Sequence, residues 1–253
     1  MKNMTITLLS HQSLYHLFQP VCTLTDKKPL GYEALIRSKW IERPDQLFNR
    51  VIQQHQLFKL DILSIYNGIL VFFSTPERRD SDELLFLNIF PSSLAEDAFS
   101  GFCKKIVREF PAYVHRIVFE INESMSETGE WNREMFLKNV NLLREFGFRI
   151  AFDDVGEGAT TLKRIVELSP DFIKIDRFFG MQLKGNKKKQ HIIKFFVDYC
   201  ADDTMLILEG LEQSEDMELA IDLGVRLGQG YGLDKPGPLP GSPLNFFQPM
   251  SMD

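Results

Sequence analysis

Leu17-Phe18-Gln19-Pro20-Val21-Cys22-Thr23-Leu24 and Leu30-Gly31-Tyr32-Glu33-Ala34-Leu35-Ile36 are two short apolar runs, and only Thr25 to Pro29 separates them. Parallel strands need a crossover of a dozen or more residues, so this pair reads as antiparallel. Six further runs of the same kind follow: Leu84–Phe90, Arg116–Ile121, Arg149–Val155, Phe172–Ile175, Met205–Leu208 and Leu227–Tyr231. Between most of them the apolar spacing is helical. Leu47, Phe48, Val51, Ile52, Leu57, Leu60, Ile62, Leu63 and Tyr66 mark one helix or a helical pair. Phe136, Val140, Leu142, Leu143 and Phe146 mark another, closed by Gly147. Ile192, Ile193, Phe196 and Val197 mark a third. Ser214 precedes Met217, Leu219, Ala220 and Leu223, with Gly224 as the C-cap. About eight strands alternating with helices give a (β/α) barrel or an open doubly wound sheet, and the antiparallel first pair excludes a regular all-parallel barrel.

The 253 residues carry a net charge of −6 with a pI ≈ 5.5. An acidic surface is a poor electrostatic partner for DNA or anionic lipid, so a phosphate ligand would be held locally, by a metal or a few placed cations. Cys22, Cys103 and Cys200 are odd in number and widely spaced, which argues against disulfides or a zinc site. The longest apolar run, Ile69–Phe73, is far short of a membrane span. No long apolar segment follows Lys2, so no signal peptide is read and the expected compartment is the cytoplasm. The turn-rich stretches Ser74–Asp82, Glu123–Glu130 and Gly185–Lys189 are too short to link large domains, and one domain is expected.

Nearly every expected strand carries a polar residue near its C-terminal end. Glu33 lies in the second run and Asn88 in the third. Glu120 and Asn122 share a face of the fourth by strand alternation. Asp153 and Asp154 end the fifth, Lys174 and Asp176 share a face of the sixth, Glu209 ends the seventh and Gln229 lies on the eighth. One carboxylate at a strand end is ordinarily a solvated or paired group. Seven strands repeating the pattern would gather these groups at one mouth of a barrel. Burying so many carboxylates without cations is costly, and their oxygens suit a hard divalent ion such as Mg²⁺ or Mn²⁺. Neighbouring residues of a strand point to opposite faces, so Asp153 and Asp154 reach one site only if the chain turns there. Val155-Gly156-Glu157-Gly158 supplies that turn, and a shared carboxylate could bridge two metals. Taken alone, the same segment also reads as a capped turn before a helix at Thr160-Thr161-Leu162.

In this order the residues resemble the EAL family of cyclic di-GMP phosphodiesterases. Glu33-Ala34-Leu35 is followed by Ile36-Arg37 and preceded by Phe18-Gln19-Pro20-Val21. Glu120-Ile121-Asn122-Glu123 resembles Glu-x-Thr-Glu, and Asp153-Asp154-Val155-Gly156 resembles Asp-Asp-Phe-Gly. Lys174-Ile175-Asp176, Glu209-Gly210-Leu211-Glu212 and Gln229-Gly230-Tyr231 with Pro236 complete a set that runs from about residue 18 to 236.

The resemblance implies a TIM-like (β/α)8 barrel with one antiparallel strand near the N-terminus. The barrel would span residues 1–253, with a core of about 14–240 and a tail over 241–253. It implies hydrolysis of cyclic di-GMP to linear pGpG with Mg²⁺ or Mn²⁺, in two ions. Glu33, Asn88, Glu120 and Asp153 would hold one metal. Asp153 would bridge to a second, which Asp154 and Glu209 help to hold. Glu33, Lys174, Glu209 and Asp154 would form the catalytic set, with Lys174 orienting the attacking water and Glu209 either a ligand or a proton-handling group. Gln19, Arg37, Asp176, Gln229 and Glu212 would contact the substrate, and Glu123 would brace the loop after Asp153-Asp154. The family's habit of pairing through that loop implies a homodimer.

Val155, Glu157 and Ala159 depart from the family's Phe-Gly-Thr/Ala-Gly-Tyr-Ser loop, and Phe90 stands where Ser is common. The rewritten loop keeps a second reading open: a catalytically weak barrel that binds cyclic di-GMP as a receptor or works through a protein partner. His11, His16, His55, His115 and His191 lack metal spacing, Lys187-Lys188-Lys189 reads as a solvated loop, and Trp40 and Trp131 read as packing residues.

Overall fold

Inward-facing side chains follow one rule in strand after strand: an apolar residue, then two positions on a polar one. Phe86 precedes Asn88, Val118 precedes Glu120, Ala151 precedes Asp153 and Phe172 precedes Lys174. Ile207 precedes Glu209, and Leu227 precedes Gln229. Strand alternation stacks these into an apolar layer deep in the sheet and a polar layer at its rim. The order reverses only in the first strand, where Gln19 comes before Val21, as an antiparallel strand requires. Val21, Phe86, Val118, Ala151, Phe172 and Ile207 pack together in that deep layer with Leu84 and Leu227.

These features belong to a computed structural model that describes residues 13–122, 129–130, 134–156, 162–200 and 203–242. Strands β1 (Leu14–Thr23), β2 (Pro29–Ser38), β3 (Leu84–Ile89), β4 (Ile117–Asn122), β5 (Arg149–Val155), β6 (Phe172–Ile175), β7 (Met205–Leu208) and β8 (Leu227–Gly228) close in sequence order into a barrel. β1 is antiparallel to both β2 and β8, and every other neighbouring pair is parallel. The open doubly wound sheet is thereby excluded. Gly31 sits where β2 meets β3 closely: a Cβ there would lie 2.3 Å from the Leu84 carbonyl oxygen.

The helices form the outer layer. The expected helical pair is two elements, α1 (Pro44–Gln53) and α2 (Leu57–Ser74), separated where His55 takes a left-handed φ of 54°. Helix α3 (Phe99–Glu109) was not anticipated, although Phe99, Phe102, Cys103 and Ile106 give it a buried face. α4 (Glu134–Glu145), α5 (Leu162–Leu168), α6 (Lys187–Tyr199) and α7 (Ser214–Asp222) complete the set, with one-turn helices at Pro76–Arg79, Pro91–Leu94 and Arg177–Gly180. α6 starts where the Asn186 side chain accepts the backbone N–H groups of Lys188 and Lys189. Ser214 is the first residue of α7, and Gln213 holds its N-cap position.

Helix α2 is long and apolar enough to cross a membrane by composition, with a mean hydropathy of 1.5 over 18 residues. Its side chains are spent elsewhere: 67% of it is buried, and Ile62, Ile65, Ile69 and Phe72 join the core between helices and sheet. Several expected ends move. β3 stops at Ile89, leaving Phe90 as the N-cap residue of Pro91–Leu94. β4 starts at Ile117 because Arg116 belongs to a 3₁₀ turn, and β8 ends at Gly228 instead of Tyr231. Cys22, Cys103 and Cys200 are free and buried.

Candidate functional site

At the rim the polar layer converges on one ammonium. Lys174 Nζ lies 2.8 Å from Glu209 Oε1, 2.9 Å from Glu120 Oε1, 3.0 Å from Asp153 Oδ1 and 3.3 Å from Glu33 Oε2. Lys174 is 1% exposed and Glu120 not at all. Three buried carboxyl groups and the partly buried Glu209 thus share one compensating positive charge.

Electrostatics follow from that imbalance. Burial opposes the charge on Lys174, but Asp153, Glu120, Glu209 and Glu33 together hold it well above the usual lysine range, so it stays an ammonium. Burial raises Glu120 well above the ordinary carboxyl value, with Glu33 adding to the rise, and raises Asp153 as well. Glu209 is pushed to about 8, first by burial and then by the charges of Asp153 and Glu33. Glu33 alone of the four falls below its ordinary value. Burial works against it, but Lys174 and hydrogen bonds from Asn88 and Gln229 outweigh burial.

The hydrogen bonds show how rigidly the oxygens are aimed. Asn88 Nδ2 donates to Glu33 Oε1 at 2.7 Å, and Gln229 Nε2 donates to Glu33 Oε2 at 2.8 Å. Glu120 Oε1 lies near Lys174 Nζ but off the hydrogen-bonding direction, and Glu120 Oε2 is buried with no hydrogen-bond partner. A fully buried carboxylate oxygen without a donor is rare, and a cation satisfies it. Oxygens of Glu33, Glu120 and Asp153 all lie within 4.8 Å of one another, and so do oxygens of Asp153, Asp154 and Glu209. The two groups share Asp153. Donors that are all oxygen fit a hard divalent ion.

Asp153 and Asp154 reach this rim together by a route the sequence reading placed elsewhere. The turn is not first made by the glycine segment. Asp154 itself adopts a left-handed φ of 55°, and the β5–β6 register slips between Phe152 and Val155. The strand therefore continues through Val155 while its bulge swings the second carboxylate round. Asp154 Oδ2 accepts a hydrogen bond from Asn122 Nδ2 at 3.1 Å.

Two cavities open from this centre and both are lined by Glu33. One, of about 300 Å³, is lined by Gln19, Asp153, Asp154, Lys174, Arg177, Glu209, Glu212, Gln229 and Tyr231. The other, of about 310 Å³, contains Arg37, Asn88 and Asn122 against a wall of Phe48 and Phe90. Those two rings lie 5.3 Å apart. Gln19 donates to the Asp234 carbonyl at 3.2 Å, and Arg37 Nη1 to the Ile36 carbonyl at 2.9 Å.

Of the residues singled out from sequence, Gln19, Glu33, Asp153, Asp154, Lys174, Glu209, Glu212 and Gln229 share the first cavity, and Arg37 and Asn88 share the second with Glu33. Glu120 lies beneath them, against Lys174. Asp176 is placed differently from expectation. β6 ends at Ile175, and the Asp176 side chain caps the Arg177–Gly180 turn by accepting the Phe178 N–H at 2.9 Å. Glu123, Trp131, Glu157 and Ala159 lie outside the described residues. Sequence reasoning put Asn122 among the rim groups by its alternation with Glu120 but gave it no role, and it passed over Arg177, Asp61 and Tyr231 as cavity-lining residues. Arg177 was legible in principle, since it follows Lys174-Ile175-Asp176.

The family model described as "EAL domain" matches residues 3–236. "Probable cyclic di-GMP phosphodiesterase PdeA" of Escherichia coli (strain K12) is 27% identical over 238 residues, which is 92% of this chain and 32% of that protein. The chain spans about a third of the length of the curated relatives it matches. Klebsiella pneumoniae BlrP1, solved as a calcium/cy-diGMP complex, superposes with a TM-score of 0.79 at 24% identity, over 89% of this chain and 56% of that one. The PaMucR phosphodiesterase, solved as a c-di-GMP complex, gives 0.82 at 19% identity over 94% and 98%. Likeness at these identities establishes the barrel fold.

Proposed function

Since the chain belongs to the EAL domain family, we propose that its rim is the active site of a metal-dependent phosphodiesterase that opens cyclic di-GMP to linear pGpG. The observation that carries this reading is the pair of carboxylate groups sharing Asp153 around the Lys174 ammonium. The curated relatives' names supply the substrate, and the site's chemistry supports it.

In this reading Glu33, Asn88, Glu120 and Asp153 hold one Mg²⁺ or Mn²⁺ ion, and Asp153, Asp154 and Glu209 hold a second. Bound divalent ions of this kind lower the pKa of a coordinated water and offset charge on a phosphate. Asn88 fits its role because donation through Nδ2 leaves its carbonyl oxygen as the ligand atom. Lys174 stays protonated, so it donates to the attacking water or a phosphate oxygen and does not act as the base. Arg37 and Arg177, one in each cavity, offer the forked donors that suit phosphate oxygens. Gln19, Glu212 and Gln229 shape the first cavity around the ligand. Asp176 acts by fixing the turn that follows Lys174.

The barrel, with its core over residues 14–240, is taken as one domain acting in the cytoplasm, and the free buried cysteines suit a reducing compartment. A homodimer through the segment after Asp153-Asp154 is also proposed. Exposed Leu162 and Val166 on α5 support it, at 51% and 62% exposure.

Steady-state turnover of cyclic di-GMP with Mg²⁺ or Mn²⁺, followed by chromatography of pGpG, tests the proposal. Turnover that Glu33→Ala abolishes is expected. Tight binding with no product over hours would overturn the enzyme reading and leave a receptor. Neither binding nor turnover would leave a scaffold for a protein partner.

A further inference from the structure

We infer that Asn122 is the positioning residue that holds Asp154 in its left-handed turn and so builds the second ion site; this rests on the two-ion reading above. Strand alternation points Asn122 inward directly above Glu120, and its Cα partner across the sheet is Asp153. An ordinary extended Asp154 would carry its carboxylate to the far face of β5. The φ of 55° reverses it, an arrangement that a non-glycine residue keeps only when its surroundings fix it. The Asn122 amide reaches Asp154 Oδ2 at 3.1 Å from a neighbouring strand 32 residues earlier in the chain. It therefore sets the direction of a half-buried carboxylate from a rigid element. The first group has a corresponding arrangement, with Asn88 aiming Glu33. Asn88 on β3 and Asn122 on β4 stand on neighbouring strands, and each donates to a different carboxylate.

The geometry separates the two ions. Asn122 touches Asp154, which belongs to the group with Asp153 and Glu209 and not to the group with Glu33 and Glu120. Its loss should weaken one ion and spare the other.

The test is Mn²⁺ titration of the full chain by calorimetry, with electron paramagnetic resonance to detect coupled Mn²⁺ pairs. Wild type, Asn122→Ala and Asn122→Leu are compared after circular dichroism shows each to be folded. Leu keeps the side-chain volume without the donor if Ala fails to fold. The expected result is a second-ion affinity lowered about tenfold or more, within the range seen when groups that orient metal ligands are removed, with the first ion unchanged within about twofold. The coupled signal should vanish at sub-saturating Mn²⁺. In turnover, half-saturating Mn²⁺ should rise while kcat at saturating Mn²⁺ recovers. Equal weakening of both ions, or unchanged binding with a raised KM for the dinucleotide, overturns the assignment of Asn122 alone. Wild-type protein that takes up fewer than two ions overturns both this inference and the two-ion reading.

Discussion

Replacing Lys174 with Met removes the one cation inside the carboxylate ring and keeps most of the side-chain volume. In metal-stripped protein burial raises both Glu120 and Glu209, and Glu209, pushed to about 8, is largely protonated at pH 7. Glu33 is the group with most to lose, since Lys174 counteracts its burial. Without the ammonium, Glu33 must take up a proton against its ordinary value of 4.5. At about 1.4 kcal/mol per pH unit, that step costs about 3 kcal/mol at pH 7 and about 1 kcal/mol at pH 5. Neutralisation caps the penalty, so the loss is a few kcal/mol and not the tens that an isolated buried charge would cost. The sign follows from proton counting. The folded variant holds a proton at Glu33 that the unfolded chain releases above about pH 4.5, so the variant loses stability relative to wild type as pH rises. Urea unfolding of chelator-treated wild type and Lys174→Met at pH 5, 6 and 7 should show a gap that widens from about 1 to about 3 kcal/mol. A gap that stays constant across this range, or narrows as pH rises, refutes the charge-balance argument.

Three further outcomes follow from the same geometry. With Glu209 raised to about 8 and Glu120 raised too, binding of a cation must expel protons below pH 8. Mn²⁺ affinity should rise about tenfold per pH unit from 6 to 8 for each proton released, measurable by calorimetry in buffers of different ionisation enthalpy. Gly180→Ala would place a Cβ 1.9 Å from the Glu209 carbonyl oxygen, so the Arg177–Gly180 turn or the end of β7 must shift. The expected loss is about 1–3 kcal/mol of stability in urea, with reduced turnover because Glu209 moves. Arg37→Ala should raise the KM for cyclic di-GMP by about 10–100-fold, the worth of a hydrogen bond to a charged group, and change kcat less, as read from steady-state kinetics.

Much of the fold was legible because the barrel repeats one local rule. Each parallel strand buries an apolar residue and then turns a polar one to the rim two positions later, so type and order survive even where ends do not. The end of β3 was misplaced because Phe90 looks like its continuation but holds the N-cap position of a short helical turn. β6 ends at Ile175 as expected, but Asp176, read as sharing a face with Lys174, caps the turn that follows. Helix α3 was passed over although its apolar spacing is regular. Only four of its eleven residues are buried, and the other seven include Gly101, a weak helix former.

The candidate site was legible in membership more than in arrangement. That Lys174 would meet four carboxyl groups could not be read from Lys174-Ile175-Asp176, since Glu33 lies 141 residues away and arrives only when the barrel closes. The Asp153-Asp154 pair shows the same limit more sharply. Alternation correctly says that neighbouring carboxylates diverge, and a glycine two positions on is the natural place to look for a turn. The chain instead puts the turn on the aspartate. Asp visits the left-handed region more readily than most residues, but local preference alone would leave it extended. What tips the balance is a partner on β4, and Asn122 gave no sign of that role while only its own neighbours were in view. A site that needs two carboxylates at consecutive positions on one rim therefore needs a bulge and a brace, and the brace is the part that only tertiary structure displays.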